Sequence, residues 1–229
     1  PAGGSQFVHE RTLPPPPRPH GYSYCEGFAL SGDGATLVRG CSNEAGGSTY
    51  VHTGAGYAQT ALLAPGSHFG FDLSFDGTAL LVQDSAGARG FRRGSTGWQS
   101  QGHLDNGDGT ANWNFRHIAI SRDGKIAAVG NSEERTIGLG PINPPFQPGT
   151  AANANGGVMV YQYKASGWQL RRLVKPGSSN VGDAGFSVAL SGNGNLLAVG
   201  APADPSAAAG IDGNRNDASA PNRGAVWLY

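Results

Sequence analysis

The sequence predicts an all-β protein, a β-propeller-like array of four four-stranded blades. A hairpin pattern centred on a serine occurs four times, at Ser31, Ser74, Ser121 and Ser191, spaced by 43, 47 and 70 residues. A period in the forties, with about four strands per unit, is that of propeller blades. The 38 glycines and 15 prolines among 229 residues supply many turns. No stretch holds a helical apolar period long enough to predict a helix.

The unit is clearest from Gly185 to Tyr229. Phe186, Val188 and Leu190 alternate with Ser187 and Ala189, the period of a strand. Ser191-Gly-Asn-Gly194 is a tight-turn signal, because Gly and Asn tolerate positive φ. Leu196 to Val199 returns as a second strand, and after a long loop Ala225 to Tyr229 forms a third. The stretches beginning at Phe28, Phe71 and Ile118 repeat the hairpin, with turns SGDG, SFDG and SRDG. Blade boundaries fall at about 22–64, 68–105, 114–175 and 184–229. The long third spacing comes from an insertion rich in Pro, Asn and Gly, Glu133 to Gly156.

Tyr57 to Leu63, Trp98 to Leu104 and Trp168 to Val174 each follow a third strand and form the outer strand of a blade. The last unit stops after its third strand, whereas Gln6 to Leu13 (QFVHERTL) reads as a lone strand. This strand is expected to complete the last blade beside Ala225 to Tyr229, in the same chain or in a neighbouring copy, because an unpaired edge is sticky. Pro14 to Pro17 reads as a stiff spacer, with docking to an aromatic groove as the alternative. The chain begins at Pro1 rather than Met and carries no visible signal peptide, so it is expected to be a processed product or a fragment.

The two cysteines, Cys25 and Cys41, fall on facing strands of the first hairpin. A disulfide between them would close a loop of roughly 16 residues and contribute about 3 kcal/mol in the chain-entropy model. It would also imply an oxidising compartment; two buried free thiols are the alternative. Lys+Arg equals Asp+Glu at 16 each, which argues against a nucleic-acid partner. No apolar run reaches the length of a membrane span.

The pattern FGxSVALSxDGxxLAVGAP, a loop, then GAVxVY and a strand opening on Trp resembles the bacterial-type FG-GAP repeat, a relative of the integrin α-subunit propeller repeat. The resemblance is closest in Gly185 to Tyr229, good in Phe115 to Val174 and weaker in the first two units. It implies an extracytoplasmic binding or scaffold domain. Integrin-type propellers have about seven blades against the four counted here, so the ring is expected to be unusually small, shared between chains, or part of a longer protein.

Calcium is the one cofactor worth weighing. The hairpin turns carry at most one carboxylate each, too few for an ion wanting six or more oxygens; their acidic residues are expected to shape the turns instead. Asp212, Asn214, Asn216 and Asp217 are spaced as calcium ligands would be, without the glutamate of an EF-hand. The alternative is an ordered Asn/Asp loop; Asp105 and Asp108 are a weaker pair. The six histidines, 9, 20, 52, 68, 103 and 117, show no zinc spacing. No GxSxG elbow is present, and Gly54-Ala-Gly56 leads into a strand rather than a helix. Trp98, Trp113, Trp168 and Trp227 read as packing residues before sugar-stacking ones.

The expected function is therefore a non-catalytic interaction or structural module, extracellular, at the cell surface or periplasmic, whose partner is another protein or further copies of itself. A carbohydrate-binding propeller, a lectin, is the second reading. A propeller-fold lyase or hydrolase is the third. Partner contacts are expected on the long loops, Glu133 to Gly156 and Ala203 to Arg223.

Overall fold

A computed structural model describes residues 9, 12–13, 27–40, 47–53, 55–63, 68–84, 87–104, 115–149, 155–178, 181–208, 210–211, 213–214 and 217–229. The described residues form strands and turns, with no helix. Four antiparallel sheets follow one another along the chain. The first holds β1 (Gly27–Leu30), β2 (Thr36–Gly40), β3 (Ser48–Thr53) and β4 (Gly56–Leu62). The second holds β5 (His68–Leu73), β6 (Ala79–Asp84), β7 (Gly87–Gly94) and β8 (Gly97–Leu104). The third is built from β9 (Phe115–Ile120), β10 (Ile126–Asn131), β11 (Pro141–Ile142), β12 (Gly157–Lys164) and β13 (Gly167–Val174). The fourth has β14 (Ser187–Leu190), β15 (Leu197–Ala201) and β16 (Ala225–Leu228).

The first two sheets are simple meanders, as a propeller blade requires. The third departs from four strands: β11, inside the insertion, pairs with β13 and makes a fifth, through Pro141 opposite Val174 and Ile142 opposite Leu173. The fourth sheet has three strands among the described residues. The expected completing strand, Gln6 to Leu13, falls largely outside the described residues. Of its described members, the Leu13 carbonyl lies 3.5 Å from Arg39 Nη1, beside β2.

The repeated serine builds every hairpin in the same way. Ser121 Oγ donates to Asp123 Oδ1 at 2.7 Å and accepts the Ile126 N–H at 2.9 Å. Ser31 with Asp33, Ser74 with Asp76, and Ser191 with Asn193 repeat the arrangement. The fourth turn residue is glycine each time, at φ of 72°, 64°, 67° and 70° for Gly34, Gly77, Gly124 and Gly194, which a side chain would strain. These carboxylates are held below the usual range. At Asp33 the Ser31 hydroxyl is the largest cause. At Asp76 and Asp123 burial pushes upward, but the serine hydroxyl and turn amides outweigh it.

The turns also join the sheets to one another. Asp33 donates its N–H to the Phe75 carbonyl, Phe75 to Arg122, and Arg122 to Gly192, at 2.9, 3.0 and 2.8 Å. The Arg122 guanidinium stacks over the Phe75 ring at 3.7 Å along this rim.

The core lies between sheets. Ala29 and Val38 of the first sheet meet Phe71, Leu73, Leu80 and Val82 of the second. The other face of the second sheet, Ala79 and Leu81, meets Ile120, Ala127 and Val129 of the third. Ala119, Ala128 and Val158 of the third then meet Leu197, Val199 and Trp227 of the fourth. Period-two alternation places both sets on each middle sheet, which is why its strands read as nearly continuous apolar runs. β1 packs on β5, β5 and β6 on β9, and β9 and β10 on β14; no comparable contact joins the fourth sheet to the first among the described residues.

Outer strands lock onto the preceding sheet through tryptophan. Trp98 Nε1 donates to Thr49 Oγ1 at 2.9 Å. Trp168 occupies the matching site on the second sheet, where position 90 is glycine and an added Cβ would overlap the indole. Gly90→Ala is expected to cost roughly 1–3 kcal/mol by overpacking, read as a lower urea midpoint with an unchanged m-value.

Asp72 places a carboxylate in the second of these interfaces. Its Oδ2 accepts the Ile120 N–H across the second junction at 2.7 Å, and its Oδ1 accepts the Leu73 N–H at 2.9 Å. Burial raises its pKa to about 6 despite both donors. The unfolded chain releases this proton near pH 3.8 and the folded chain near 6, so this group makes stability fall as pH rises through that window. Asp72→Asn is expected to remove a fall on the order of 2 kcal/mol between pH 4 and 6, measured by urea unfolding at the two ends of the window.

Candidate interaction surface

The insertion after β10 is anchored by a buried ion pair. Glu134 follows a turn in which the Asn131 carbonyl accepts the Glu134 N–H and Asn131 Oδ1 accepts the Glu133 N–H. Its carboxylate accepts from the Thr136 amide at 2.8 Å and from the Thr136 hydroxyl. Its second oxygen lies 2.7 Å from Lys175 Nζ, which also donates to the carbonyls of Glu134 and Thr136 at 3.2 and 2.8 Å. Lys175 is 1% exposed and Glu134 6%. All three ammonium hydrogens thus have acceptors, which is what keeps a buried charge tolerable. Burial still pushes the Lys175 pKa below the usual lysine value, with Glu134 pulling the other way.

Backbone bonds extend the anchor. Lys175 N–H donates to the Gly140 carbonyl, Gly140 N–H to Pro176, and Ile137 N–H to Gln147. The described part of the loop, 133–149, is therefore held by several bonds while Ile137 and Leu139 remain 49% and 50% exposed. The carbonyl of Lys175 also accepts the Tyr229 hydroxyl at 2.7 Å, which ties the insertion's anchor to the fourth sheet.

The second long loop leaves β15 at Pro202. Asp204 is buried, accepting the Ser206 N–H at 2.9 Å and the Trp227 indole N–H at 3.2 Å. The Ala207 N–H donates to the Asp217 carbonyl, and Ala220 to Pro205, so the loop folds back on itself. Of the four calcium candidates, Asp212 and Asn216 lie outside the described residues. Asp217 Oδ1 accepts the Ser219 N–H at 3.1 Å, and contacts with Ser219 hold its carboxyl below the usual range. The Asn214 carbonyl accepts the Ser206 hydroxyl at 3.4 Å. The two described candidates thus take part in the loop's own hydrogen bonding, and no group of three metal-ligating side chains occurs among the described residues.

Cys25 and Cys41 lie outside the described residues, as do Asp105, Asp108 and Trp113. Trp98, Trp168 and Trp227 are packing residues, each set against a neighbouring strand or loop. Reading the sequence missed the Glu134–Lys175 pair and the Asp204–Trp227 bond. Each joins residues distant in sequence, and a single acidic residue in a polar loop carries no signal for either. No helix among the described residues is long and apolar enough to cross a membrane.

No family model and no curated protein matches this chain. Among solved structures, the chain is similar to the β-propeller domain of Cps50 (Swd1) from Myceliophteria thermophila, at 14% identity and a TM-score of 0.53, over 77% of this chain and 50% of that one. It is also similar to a functionally unknown protein from Desulfotomaculum acetoxidans DSM 771, at 16% identity and a TM-score of 0.50, over 78% and 49%. A nidogen/laminin complex matches at 10% identity and a TM-score of 0.48, over 78% of this chain and 57% of that one. The chain spans about half the length of the structures it matches, and its fold is that of consecutive propeller blades.

Proposed function

We propose that this chain is a non-catalytic, extracytoplasmic protein-binding module whose blades are of the FG-GAP type. The repeat pattern of Gly185 to Tyr229, with GAVWLY as the third strand of its unit, supports the family. The family resemblance, together with the expected Cys25–Cys41 disulfide, supports the compartment. The observation that carries the function is the insertion: a buried ion pair and a set of backbone bonds hold a loop that presents exposed Ile137 and Leu139. Apolar side chains on a preorganised loop bind a partner without a large ordering cost. Calcium at Asp212, Asn214, Asn216 and Asp217 would serve to order the second loop rather than to catalyse.

Two measurements test this reading. Cross-linking in the extracellular or envelope fraction is expected to capture a partner with the wild-type chain. The double variant Ile137→Asp/Leu139→Asp is expected to lower the yield about tenfold or more. An equal yield from the double variant moves the site elsewhere, and turnover of a glycan or ester substrate would replace the binding reading with an enzymatic one. Peptide mapping without reductant is expected to recover Cys25 and Cys41 in one linked species; two free thiols would remove the compartment argument.

A further inference from the structure

The insertion after β10 carries a second feature besides its two exposed aliphatic residues. From Thr136 to Tyr163 the sequence holds no charged side chain and no histidine. Within that stretch Pro141, Pro144, Pro145 and Pro148 are all exposed. They fall in two pairs three residues apart, Pro141-Ile-Asn-Pro144 and Pro145-Phe-Gln-Pro148.

The apolar residues between these prolines are turned inward. Ile142 and Phe146 are partly buried and pack on the core between the second and third sheets, which includes Leu104, Tyr161 and Leu173. Ile142 also lies close against the preceding turn: a Cβ added at Gly138 would come within 2.6 Å of Ile142 Cδ1. Backbone bonds fix the segment as well. β11 pairs with β13, the Ile137 N–H donates to the Gln147 carbonyl at 3.0 Å, and the Lys175 N–H donates to the Gly140 carbonyl at 3.0 Å. Two inward side chains and these bonds therefore hold the segment on the blade, with the four proline rings on its solvent side.

Three properties of this ridge define what it can bind. It is uncharged along its length, so ion pairs to it do not select the partner. Proline has no backbone N–H, so at these positions the ridge offers only carbonyl acceptors and the donors must come from the other side. Its rings have a fixed backbone φ and the segment is already anchored, so docking costs little ordering entropy. Tryptophan and tyrosine match all three: each supplies an apolar ring face for a proline and an indole N–H or phenol O–H for a neighbouring carbonyl. Arg172 sets one cation at the flank, its Nε 3.4 Å from Asn143 Oδ1, where an acidic residue of the partner would meet it.

We infer that the ridge from Pro141 to Pro148, with Ile137 and Leu139 beside it, docks in an aromatic-lined groove of a partner protein, of the kind that takes proline-rich segments. The inference rests on the binding reading of the insertion proposed above and names the class of partner. The exposed prolines supply the contact. Ile142 and Phe146 act from below as positioning residues.

Titrating the full chain into isotope-labelled WW and SH3 domains, whose grooves are aromatic, tests this with defined probes. The groove tryptophan and tyrosine signals of at least one domain are expected to shift, and a proline decapeptide in excess is expected to reverse the shift. The same decapeptide is expected to release the partner captured by cross-linking. Pro144→Ala/Pro145→Ala is expected to weaken both interactions about tenfold or more; Pro148→Ala, at the far end of the ridge, is a second variant should the first change the urea midpoint. Shifts that the proline variants leave unchanged, or no shift in any domain together with no release by the decapeptide, overturn the inference. Loss of the cross-linked partner in Ile137→Asp/Leu139→Asp, with the proline variants and the decapeptide without effect, overturns the inference and leaves the binding reading standing. No captured partner and no shift removes both. Co-sedimentation of the wild type with phosphatidylcholine/phosphatidylglycerol vesicles, lost in the proline variants, would assign the ridge to a lipid surface and overturn the aromatic groove.

Discussion

A sheet that is apolar on both faces cannot stand alone in water. Everything in this chain follows from burying such sheets against one another. Leu80 and Leu81 are adjacent in β6 and point to opposite faces, yet both are fully buried, because one packs toward the first sheet and the other toward the third. A helix-covered parallel sheet would meet the same demand, but the paired strands within all four sheets are antiparallel and no helix occurs among the described residues, so only further sheets are available as cover. The array is therefore held by three cores between sheets, each of modest size. Its stability depends on neighbours in the manner of other repeat architectures.

The serine-centred turns determine how closely those sheets approach. Each turn satisfies its own polar groups through one hydroxyl and one carboxylate or amide, which leaves backbone groups of the second or third turn residue to bond across the junction. The substitution of Asn193 for the aspartate of the other three turns leaves this geometry intact, because only an acceptor oxygen is required. Where the junction also carries charge, at Asp72, the backbone N–H of Ile120 is satisfied at the expense of a half-desolvated carboxylate. The polar group thus specifies register between two sheets and stabilises them only weakly.

The insertion after β10 shows how such an array acquires an individual feature. A two-residue strand, β11, adds to the outer edge of the third sheet, covering an edge that is otherwise open. Lys175, immediately beyond β13, reaches back to Glu134 and closes the base of the loop. The loop thereby behaves as part of the blade, and the exposed side chains of Ile137 and Leu139 are held on a rigid support.

The all-β class, the four hairpins, the strand order of the first two blades and the packing role of three tryptophans were legible in the sequence, because all of them are local. Alternation, a Ser-x-Asp-Gly turn and a period in the forties act over a few residues or repeat visibly. The outer strand of the second blade was equally plain from Trp98. The five-strand third sheet was not, since Pro141 and Ile142 carry no strand signal and pair only because the loop returns to β13. Nor was the Glu134–Lys175 bond, whose partners are 41 residues apart. How the first and last sheets stand to one another, which make no comparable contact among the described residues, was the other matter left to the fold. Repeats specify how one blade meets the next, but the curvature that brings the last sheet back to the first, or fails to, is the sum of small rotations at each junction. Those rotations are set by side-chain volumes such as Gly90 under Trp168, which no short-range pattern encodes.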